Sequence, residues 1–248
     1  MREPHPRLRV LTWNVHACVG ADGRHDVERV GAAVRALAPD VAAFQEIDSR
    51  RGAPGAGKVY DVLRAEVGTH GHDAWAISGA DGHYGQILAS RFPLEDKKVH
   101  DISALGREPR KAITASIVLP TARLRVVTTH LGLSRPERRQ QLDRLTKILA
   151  TDVSTPVLLL GDLNEWLWPH RHQRDLFALF GAWTREASFP ARFPLFALDR
   201  ILCRPSTLLG KAWAAYEARA ASDHLPVMAE LALPAPPSTR PMAAAPRG

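Results

Sequence analysis

Residues 156–166 read PVLLLGDLNEW, an uninterrupted apolar run that ends in polar side chains. The run 156–160 has the length and composition of a buried strand. Asp162 and Asn164 follow it, and because they are two residues apart, they face the same side of an extended segment. A turn does not need a carboxylate and an amide here. The pair therefore predicts a site for a metal, a phosphate or a proton at the end of this strand.

Similar apolar runs of strand length, rich in β-branched residues, recur along the chain. Together with residues 156–163, the predicted strands are 8–15, 41–47, 83–90, 112–119, 124–131, 198–203 and 225–231. Only a few helical patterns lie between them. Many strands with some helices predict mixed sheets covered by helices, an α/β sandwich.

Three segments between the strands have helical spacing. Residues 27–37 carry apolar side chains on one face, and Asp26 precedes them as a candidate N-cap. Ser134 and Glu137 match a capping box that would open a second helix. A third helix is expected near 173–180. The second helix is expected to bury Leu142, Leu145, Ile148 and Leu149.

The composition fits one large globular domain. The chain has 248 residues, of which 45% are hydrophobic, and we expect the domain to span residues 1–233. Residues 234–248 are Pro-rich and without periodicity, which predicts a disordered tail. The net charge of +7 suits anionic partners, namely phosphates, nucleic acid or an acidic membrane face. A general Arg and Ala bias explains the charge equally well.

The cysteines and the N-terminus indicate the compartment. Cys18 and Cys203 are far apart, which argues against a disulfide framework and a cysteine-ligated zinc site. The N-terminal sequence has no apolar signal-peptide core, and no run is long enough to span a membrane. We expect a monomer in the cytoplasm, either free or peripherally attached at the inner membrane.

A nucleotide-binding motif is nearly matched at residues 52–59, GAPGAGKV. Val59 stands where a P-loop has the Ser or Thr hydroxyl that holds Mg²⁺, and Pro54 lacks an N–H for the phosphates. A flexible Gly-rich loop is the better interpretation.

Polar side chains stand at the ends of six apolar segments, where sheet scaffolds carry chemistry. They are Asn14, Gln45, Glu46, His130, Asp162, Asn164, Asp199, Asp223 and His224. Each alone fits a turn, a solvated strand end or a structural histidine. Together, carboxylates and an amide oxygen suit Mg²⁺ or Mn²⁺, and an Asp with a His can activate water. The set favours metal-assisted hydrolysis of a phosphoester.

In this order the segments TWNVH, QE, THL, GDLN, LDRIL and SDHLP resemble the motifs of the endonuclease/exonuclease/phosphatase superfamily, the DNase I-like metal-dependent phosphoesterases. They span residues 12–226, and the closest likeness is to a short bacterial branch. The resemblance implies a four-layer α/β sandwich of two mixed β-sheets with outer helices. It also implies a Mg²⁺ or Mn²⁺ cofactor and a phosphate-ester substrate attacked by an activated water.

The resemblance further implies a role for each matched residue. Glu46 is the principal metal ligand, with Asn14 beside it, and Asp223 holds metal or water. Asp162 aligns or deprotonates the attacking water. Asn164 contacts the phosphate or the developing charge.

The remaining matched residues are implied to handle the phosphate. His130 stabilises its oxygens, and His224 contacts the scissile group while Asp199 orients the imidazole. In some relatives the last two residues form the base instead. Arg110 occupies the place of a phosphate-binding arginine. Gln86 replaces a shorter asparagine of the relatives.

The substrate is not fixed by the motifs, because the superfamily covers nucleases, inositol-phosphate phosphatases, sphingomyelinases and deadenylases. Aromatic side chains at Trp166, Trp168 and residues 189–196 are suited either to dip into a bilayer or to pack the sandwich rim. Three arginines at 135, 138 and 139 suit a nuclease, but no basic, aromatic insertion for gripping a duplex is present. We expect a lipid-related or small phosphodiester. The alternatives are a nuclease and a non-catalytic phospholigand-binding protein.

Overall fold

The computed structural model describes residues 7–50, 58–120, 122–150, 155–166 and 171–233. The predicted tail, residues 51–57 of the Gly-rich loop and Trp168 lie outside these ranges. The described strands are β1 (Arg7–Asn14), β2 (Val41–Asp48), β3 (His70–Gly79), β4 (Gly82–Ser90), β5 (Leu94–Asp101), β6 (Lys111–Val118), β7 (Arg123–His130), β8 (Val157–Asp162), β9 (Ala182–Trp183), β10 (Asp199–Arg204), β11 (Leu209–Ala214) and β12 (Val227–Ala232). The described α-helices are α1 (Val27–Leu37), α2 (Lys58–Ala65), α3 (Arg135–Leu149) and α4 (Arg171–Ala178).

The strands form two mixed sheets of six strands each. The first sheet has the order β11-β12-β1-β2-β4-β3 and the second β5-β6-β7-β8-β10-β9. Most neighbours are antiparallel, but β1 and β2 are parallel, as are β7 and β8. Helices α1 and α2 pack on the outside of the first sheet, and α3 and α4 on the outside of the second. The predicted four-layer sandwich is confirmed.

Strand β8 shows why its sequence is apolar without alternation. Leu158 and Leu160 face the first sheet in the central core. Val157 and Leu159 face α3 and α4 in the outer core. A strand that is buried on both faces has no position for a polar side chain until it reaches its end.

The eight predicted strands all lie inside the sheets, whereas the four strands that prediction missed are the four sheet edges, β3, β5, β9 and β11. Strand β5 reads LEDKKVHD and is almost entirely exposed. An edge strand of this kind has no apolar run, so the pattern that finds interior strands is absent. Strand β9 has only two residues, too few for any pattern.

The helix predictions are partly right. Asp26 caps α1 as expected, accepting a hydrogen bond from the Arg29 backbone N–H. The capping box of α3 is wrong, because the Ser134 hydroxyl makes no cap hydrogen bond. Instead, the Glu137 carboxylate accepts a hydrogen bond from the Gln141 amide within the helix. Helix α2 was not predicted. Among the described helices, none combines the length and apolar content needed to cross a bilayer.

The strand directions bring the polar residues to one end of the sandwich. Strands β1, β2, β7 and β8 all finish at this end, since each parallel pair is in register. Strand β10 begins there, because Asp199 pairs with Asp162. Strand β12 also begins there, since Val227 pairs with Thr12 near the end of β1. We call this end of the molecule the site end.

Gly161 is a point of close backbone approach just before the site. A Cβ atom at this position would lie 2.0 Å from the carbonyl oxygen of Thr129 on the adjacent strand. Neither backbone can retreat easily, because both strands are central in the second sheet. The glycine is therefore required for the β7–β8 pairing that sets Asp162 beside His130.

We predict that Gly161→Ala lowers the free energy of unfolding by about 3 kcal/mol, the upper range for an overpacked interior. Gly31→Ala is the matched control, because its Cβ would meet only the Glu66 side chain at an ordinary 3.5 Å on helix α1. That change should stabilise by about 0.5–1 kcal/mol. Urea unfolding followed by circular dichroism measures both. Equal stability of the two variants would contradict the close-packed role of Gly161.

Candidate active site

The inward-facing positions of the second sheet change from apolar to polar as they reach the site end. On β8, Leu158 and Leu160 line the central core, and Asp162 continues the same face. On β7, Val126 lines the core and His130 lies on its face four residues later. His130 pairs in register with Asp162, and Asp162 with Asp199. Three functional side chains thus form one row across three adjacent strands.

The first sheet supplies Asn14 from the opposite side of the sandwich. Its amide nitrogen donates to Asp162 Oδ2 at 3.0 Å and to Glu46 Oε1 at 2.9 Å. Its amide oxygen accepts the backbone N–H of His16 at 3.0 Å. Asn14 therefore holds two carboxylates together, and its oxygen is engaged. Asn14 lies beside Glu46, as the resemblance implies, and its part in metal binding stays a prediction.

A β-bulge in β2 turns Glu46 toward the site. Gln45 and Glu46 together oppose the single residue Gln86 of β4, and Glu46 has a left-handed backbone with φ of 56°. Phe44 and Ile47 both pack against the outer helices although they are three residues apart. In a regular strand Glu46 would follow Phe44 to that outer face. The bulge re-aims the carboxylate inward, a recognised use of such irregularities.

His224 is held by a buried hydrogen bond to Asp199. His224 Nδ1 lies 2.7 Å from Asp199 Oδ2, and both side chains are buried. Asp199 also accepts from the hydroxyl of Ser188 at 2.6 Å and from the backbone N–H of Asn14 at 3.3 Å. The other imidazole nitrogen, Nε2, lies 3.9 Å from Asp162 Oδ2. The orienting contact predicted between Asp199 and His224 is present in the structure.

The pKa values of Asp162 and His224 differ enough for the first to act as a base and the second as an acid. Burial raises the pKa of Asp162 to about 6, and the nearby charge of Asp199 adds to the effect. Burial alone would lower the pKa of His224, but the charge and hydrogen bond of Asp199 outweigh it and raise this pKa to about 10. At neutral pH Asp162 is a carboxylate and His224 an imidazolium. Two adjacent groups whose pKa values are pushed apart are the arrangement that acid–base chemistry requires.

His130 is neutral, in contrast to His224. Burial lowers its pKa well below the ordinary value, and the charges of Arg110 and His224 lower it further. Its Nε2 lies 3.5 Å from Asp162 Oδ2 and 3.7 Å from Glu46 Oε1. With a neutral ring these are polar contacts and not ion pairs. His130 can therefore donate one hydrogen bond without adding charge to the site.

Asn164 positions its neighbours. Its backbone N–H donates to Asp162 Oδ1 at 2.9 Å, and its φ of 51° is left-handed. Its side-chain nitrogen donates to the carbonyl of Leu131 at 2.8 Å and lies 3.2 Å from His130 Nε2. One amide hydrogen is thus used by Leu131, and the direction of the contact with His130 depends on which ring nitrogen carries the proton. The phosphate contact predicted for Asn164 stays a prediction.

Arg110 and Gln86 lie side by side in a small pocket next to His130. The Arg110 guanidinium is buried and pairs with Glu108, while its Nε atom lacks a hydrogen-bond partner among the described residues. Gln86 donates its amide to the carbonyl of Lys111 at 2.6 Å. Its second amide hydrogen remains available as a donor, and its oxygen has no hydrogen-bond partner among the described residues. The structure brings Arg110 and Gln86 together beside His130, and their phosphate-binding roles stay predictions.

The predicted metal ligands are only partly assembled. No contact joins Asp223 to Glu46 or Asn14 within the described residues; its half-exposed carboxylate lies 3.6 Å from His16 Nδ1. A different trio, Asp162, Asp199 and His224, has ligand atoms within 4.8 Å of one another. Within that trio Asp199 already accepts three hydrogen bonds, one of them from His224. The open carboxylate is Glu46, whose side chain is 26% exposed.

Two supporting residues were missed by sequence reasoning. Ser188 bridges to Asp199, and Trp13 donates its indole N–H to the His224 carbonyl at 2.9 Å. Trp13 belongs to the TWNVH segment, so its position was a usable signal. Ser188 lies eleven residues before Asp199, outside every matched segment, and no sequence pattern marks it.

This geometry agrees with a comparison of the sequence with known families. The model of the endonuclease/exonuclease/phosphatase family matches residues 11–224, most of the chain and all of the site. The chain belongs to this family. The resemblance of its motifs to the superfamily is confirmed.

A sequence relative and two solved structures each match about nine tenths of this chain. The Escherichia coli protein YbhP, described as uncharacterized, is 30% identical, with 91% of this chain and 96% of YbhP covered. An endonuclease/exonuclease/phosphatase structure from Beutenbergia cavernae is 23% identical, with a TM-score of 0.72 over 92% of this chain and 72% of that one. A mannosyl-6-phosphatase of Bacteroides thetaiotaomicron is 17% identical, with a TM-score of 0.71 over 91% of this chain and 100% of that one. The two structures show a shared fold.

We predict a non-additive loss of activity when Asp199 and His224 are changed together. His224→Ala should lower kcat on a soluble diester by a factor of about 10²–10⁴, the usual contribution of a positioned acid or base. Asp199→Asn should lose less, because it acts through the imidazole. The double variant should be little worse than His224→Ala alone.

The four proteins are compared by kcat on bis-p-nitrophenyl phosphate with saturating Mg²⁺, and circular dichroism confirms folding. Asp61→Asn, on the exposed face of α2, is the matched carboxamide control. Multiplicative losses from the two single changes would contradict the pairing.

Proposed function

We propose that the chain is a Mg²⁺- or Mn²⁺-dependent hydrolase of phosphodiesters that acts through a water deprotonated by Asp162. One observation carries the proposal. Asp162, with a pKa of about 6, lies 3.9 Å from the Nε2 atom of a protonated His224. At neutral pH the deprotonated base Asp162 therefore lies beside the protonated donor His224.

The residues present fit a hard divalent cation. Glu46 and Asp162 bring two carboxylates together, and Asn14 bridges them through one amide nitrogen. Burial of negative charge raises the pKa of Asp162, which is the cost that a bound cation offsets. Glu46 would hold the ion, with Asn14 fixing its carboxylate. When bound, the cation supplies positive charge that stabilises the phosphate oxygens in the transition state.

The protein's own residues would divide the remaining work. Asp162 takes the proton of the attacking water and is held in place by the N–H groups of Asn14 and Asn164. His224 donates through Nε2 to the phosphate or the leaving oxygen, while Nδ1 stays fixed on Asp199. Arg110 adds a buried positive charge next to His130. An anion with several oxygens suits this set of donors.

A lipid-related or small phosphodiester remains the favoured substrate. Trp166 does not support it as first expected, since its ring packs against Phe189 and Phe196 at 5.1 and 5.4 Å and so belongs to the rim. Phe193 and Leu195 lie on the same loop as Phe189 and Phe196. Their exposed apolar side chains support a lipid-related substrate. A nuclease is the alternative and a non-catalytic phospholigand-binding protein the second. The fold does not choose, because a mannosyl-6-phosphatase and TDP2 proteins share it.

We predict that activity depends on a hard divalent cation held by Glu46. EDTA should abolish hydrolysis of bis-p-nitrophenyl phosphate, and Mg²⁺ or Mn²⁺ should restore it. Glu46→Gln should weaken Mn²⁺ binding at least about tenfold by titration calorimetry, because the amide keeps the shape and loses the charge. Glu28→Gln, an exposed glutamate of α1, is the matched control. Full activity in excess chelator would remove the metal from the mechanism.

We predict a bell-shaped pH dependence of kcat/KM. On the acidic side Asp162 takes up a proton and can no longer act as a base; its pKa is about 6 without the cation, and the bound cation moves this limb to lower pH. Above about pH 10 His224 loses its proton and can no longer donate. Asp199→Asn should move both limbs to lower pH, because the charge of Asp199 raises both pKa values. An unmoved alkaline limb in that variant would contradict the assignment of His224 as the donor.

A further inference from the structure

Exposed apolar side chains are concentrated at the site end of the molecule. Among the described residues, seven large apolar side chains are exposed. Five of them lie on loops at the site end: Leu105, Leu133, Phe193, Leu195 and Tyr216. Single exposed apolar residues are ordinary on a protein surface, but a concentration around one end is not.

Four of the five lie on three loops of the second sheet. Leu105 is 97% exposed on the loop 102–110, and Leu133 is 65% exposed on the loop 131–134. Phe193 and Leu195 are 68% and 75% exposed on the loop 184–198. The register of β6, β7, β8 and β10 brings all three loops out at the end where Asp162 lies.

An exposed arginine lies within two residues of the apolar tip of each loop. These are Arg107, Arg135 and Arg192. No carboxylate of the described residues forms an ion pair with any of the three. We call the four apolar tips and the three arginines the docking rim.

The tips are held outward by ordered backbone. In the third loop Leu195 and Phe189 are joined by a backbone hydrogen bond of 2.9 Å, and Phe193 bonds to Pro190 at 3.0 Å. In the second loop the Gly132 N–H donates to Gln141 at 2.8 Å. In the first, Arg107 bonds to Ala104 at 3.2 Å. The exposure is built into the turns, so little entropy is lost when a partner covers the tips.

The third loop joins the docking rim to the site. Its base, Phe189, packs on the His224 ring at 4.8 Å between ring centres. The backbone N–H of Ala191 donates to the Asp223 carbonyl at 2.6 Å. A surface that binds Phe193 and Leu195 therefore lies close to the His224 imidazole, because the loop that carries these two residues packs on that ring through Phe189.

We propose that the docking rim binds the surface of an anionic phospholipid bilayer and presents the site to phosphodiesters in the headgroup layer. Separate convex apolar tips enter a deformable lipid interface, whereas a folded protein would need a matching pocket for each. Arginines without carboxylate partners complement anionic headgroups. This inference rests on the proposed function for its substrate, but the binding itself is measured independently of catalysis.

The test is flotation of the full chain with vesicles of phosphatidylcholine, with and without phosphatidylglycerol. The wild type binds the anionic vesicles and releases them as salt rises. Changing Leu105, Leu133, Phe193 and Leu195 to Ser lowers the partition coefficient at least about tenfold, since binding scales with buried apolar area. Val99→Ser, an exposed apolar residue of β5, is the matched control and leaves binding unchanged.

The charged part of the rim has its own control. Arg107→Gln with Arg192→Gln weakens binding to anionic vesicles, whereas Lys97→Gln with Lys211→Gln, on the edge strands β5 and β11, does not.

Hydrolysis of bis-p-nitrophenyl phosphate by the tip variants stays at the wild-type rate. If the wild type did not hydrolyse bis-p-nitrophenyl phosphate, the proposed function would be refuted, whereas the measured binding to vesicles would still hold. Failure to bind anionic vesicles at low salt, unchanged binding of the tip variant, or preference for RNA or duplex DNA over vesicles would overturn the docking rim.

Discussion

Asp162 and Asp199 occupy paired positions on neighbouring strands, and both carboxyl groups are buried. Ionising two carboxyl groups that are so close together and shielded from water is costly unless a positive group or a proton lies between them. His224 meets this requirement from a loop of the other sheet. The same contact holds the imidazole, keeps it protonated and turns its second nitrogen toward Asp162. The two sheets are thus joined at this end by the groups that carry the chemistry.

The central core determines which residues can take part. Its inward-facing positions are filled by apolar side chains along most of each strand and become polar toward the site end, where Thr12 and Thr128 precede Asn14 and His130. Asn14, His130, Asp162 and Asp199 occupy the terminal positions. Glu46 does not belong to this set by alternation, and a bulge is needed to bring it in. Left-handed backbone at Glu46 and Asn164 is the local strain that this placement requires.

The sequence predicted the interior of the molecule better than its margins. Strands such as β8 are apolar because both faces are buried, so composition reveals them. Strands β3, β5 and β11 pair on one side only, and none of their sequences contains a long apolar run. The site residues were found because they end the buried strands. Their hydrogen bonds were not predictable, since the direction of the Asn14 amide and the use of Gln86 by Lys111 depend on packing between segments far apart in the chain.

The irregularities in strand pairing lie mainly at the edges of the two sheets. Apart from the bulge at Glu46, the register shifts lie where β3, β5 and β11 meet their neighbours, and β9 is two residues long. Each of the four open edges is therefore either twisted by a bulge or too short to act as a template. A flat edge would offer a row of unpaired N–H and C=O groups to another polypeptide. The features that hide these strands from sequence patterns also protect the folded chain from intermolecular β-pairing and aggregation.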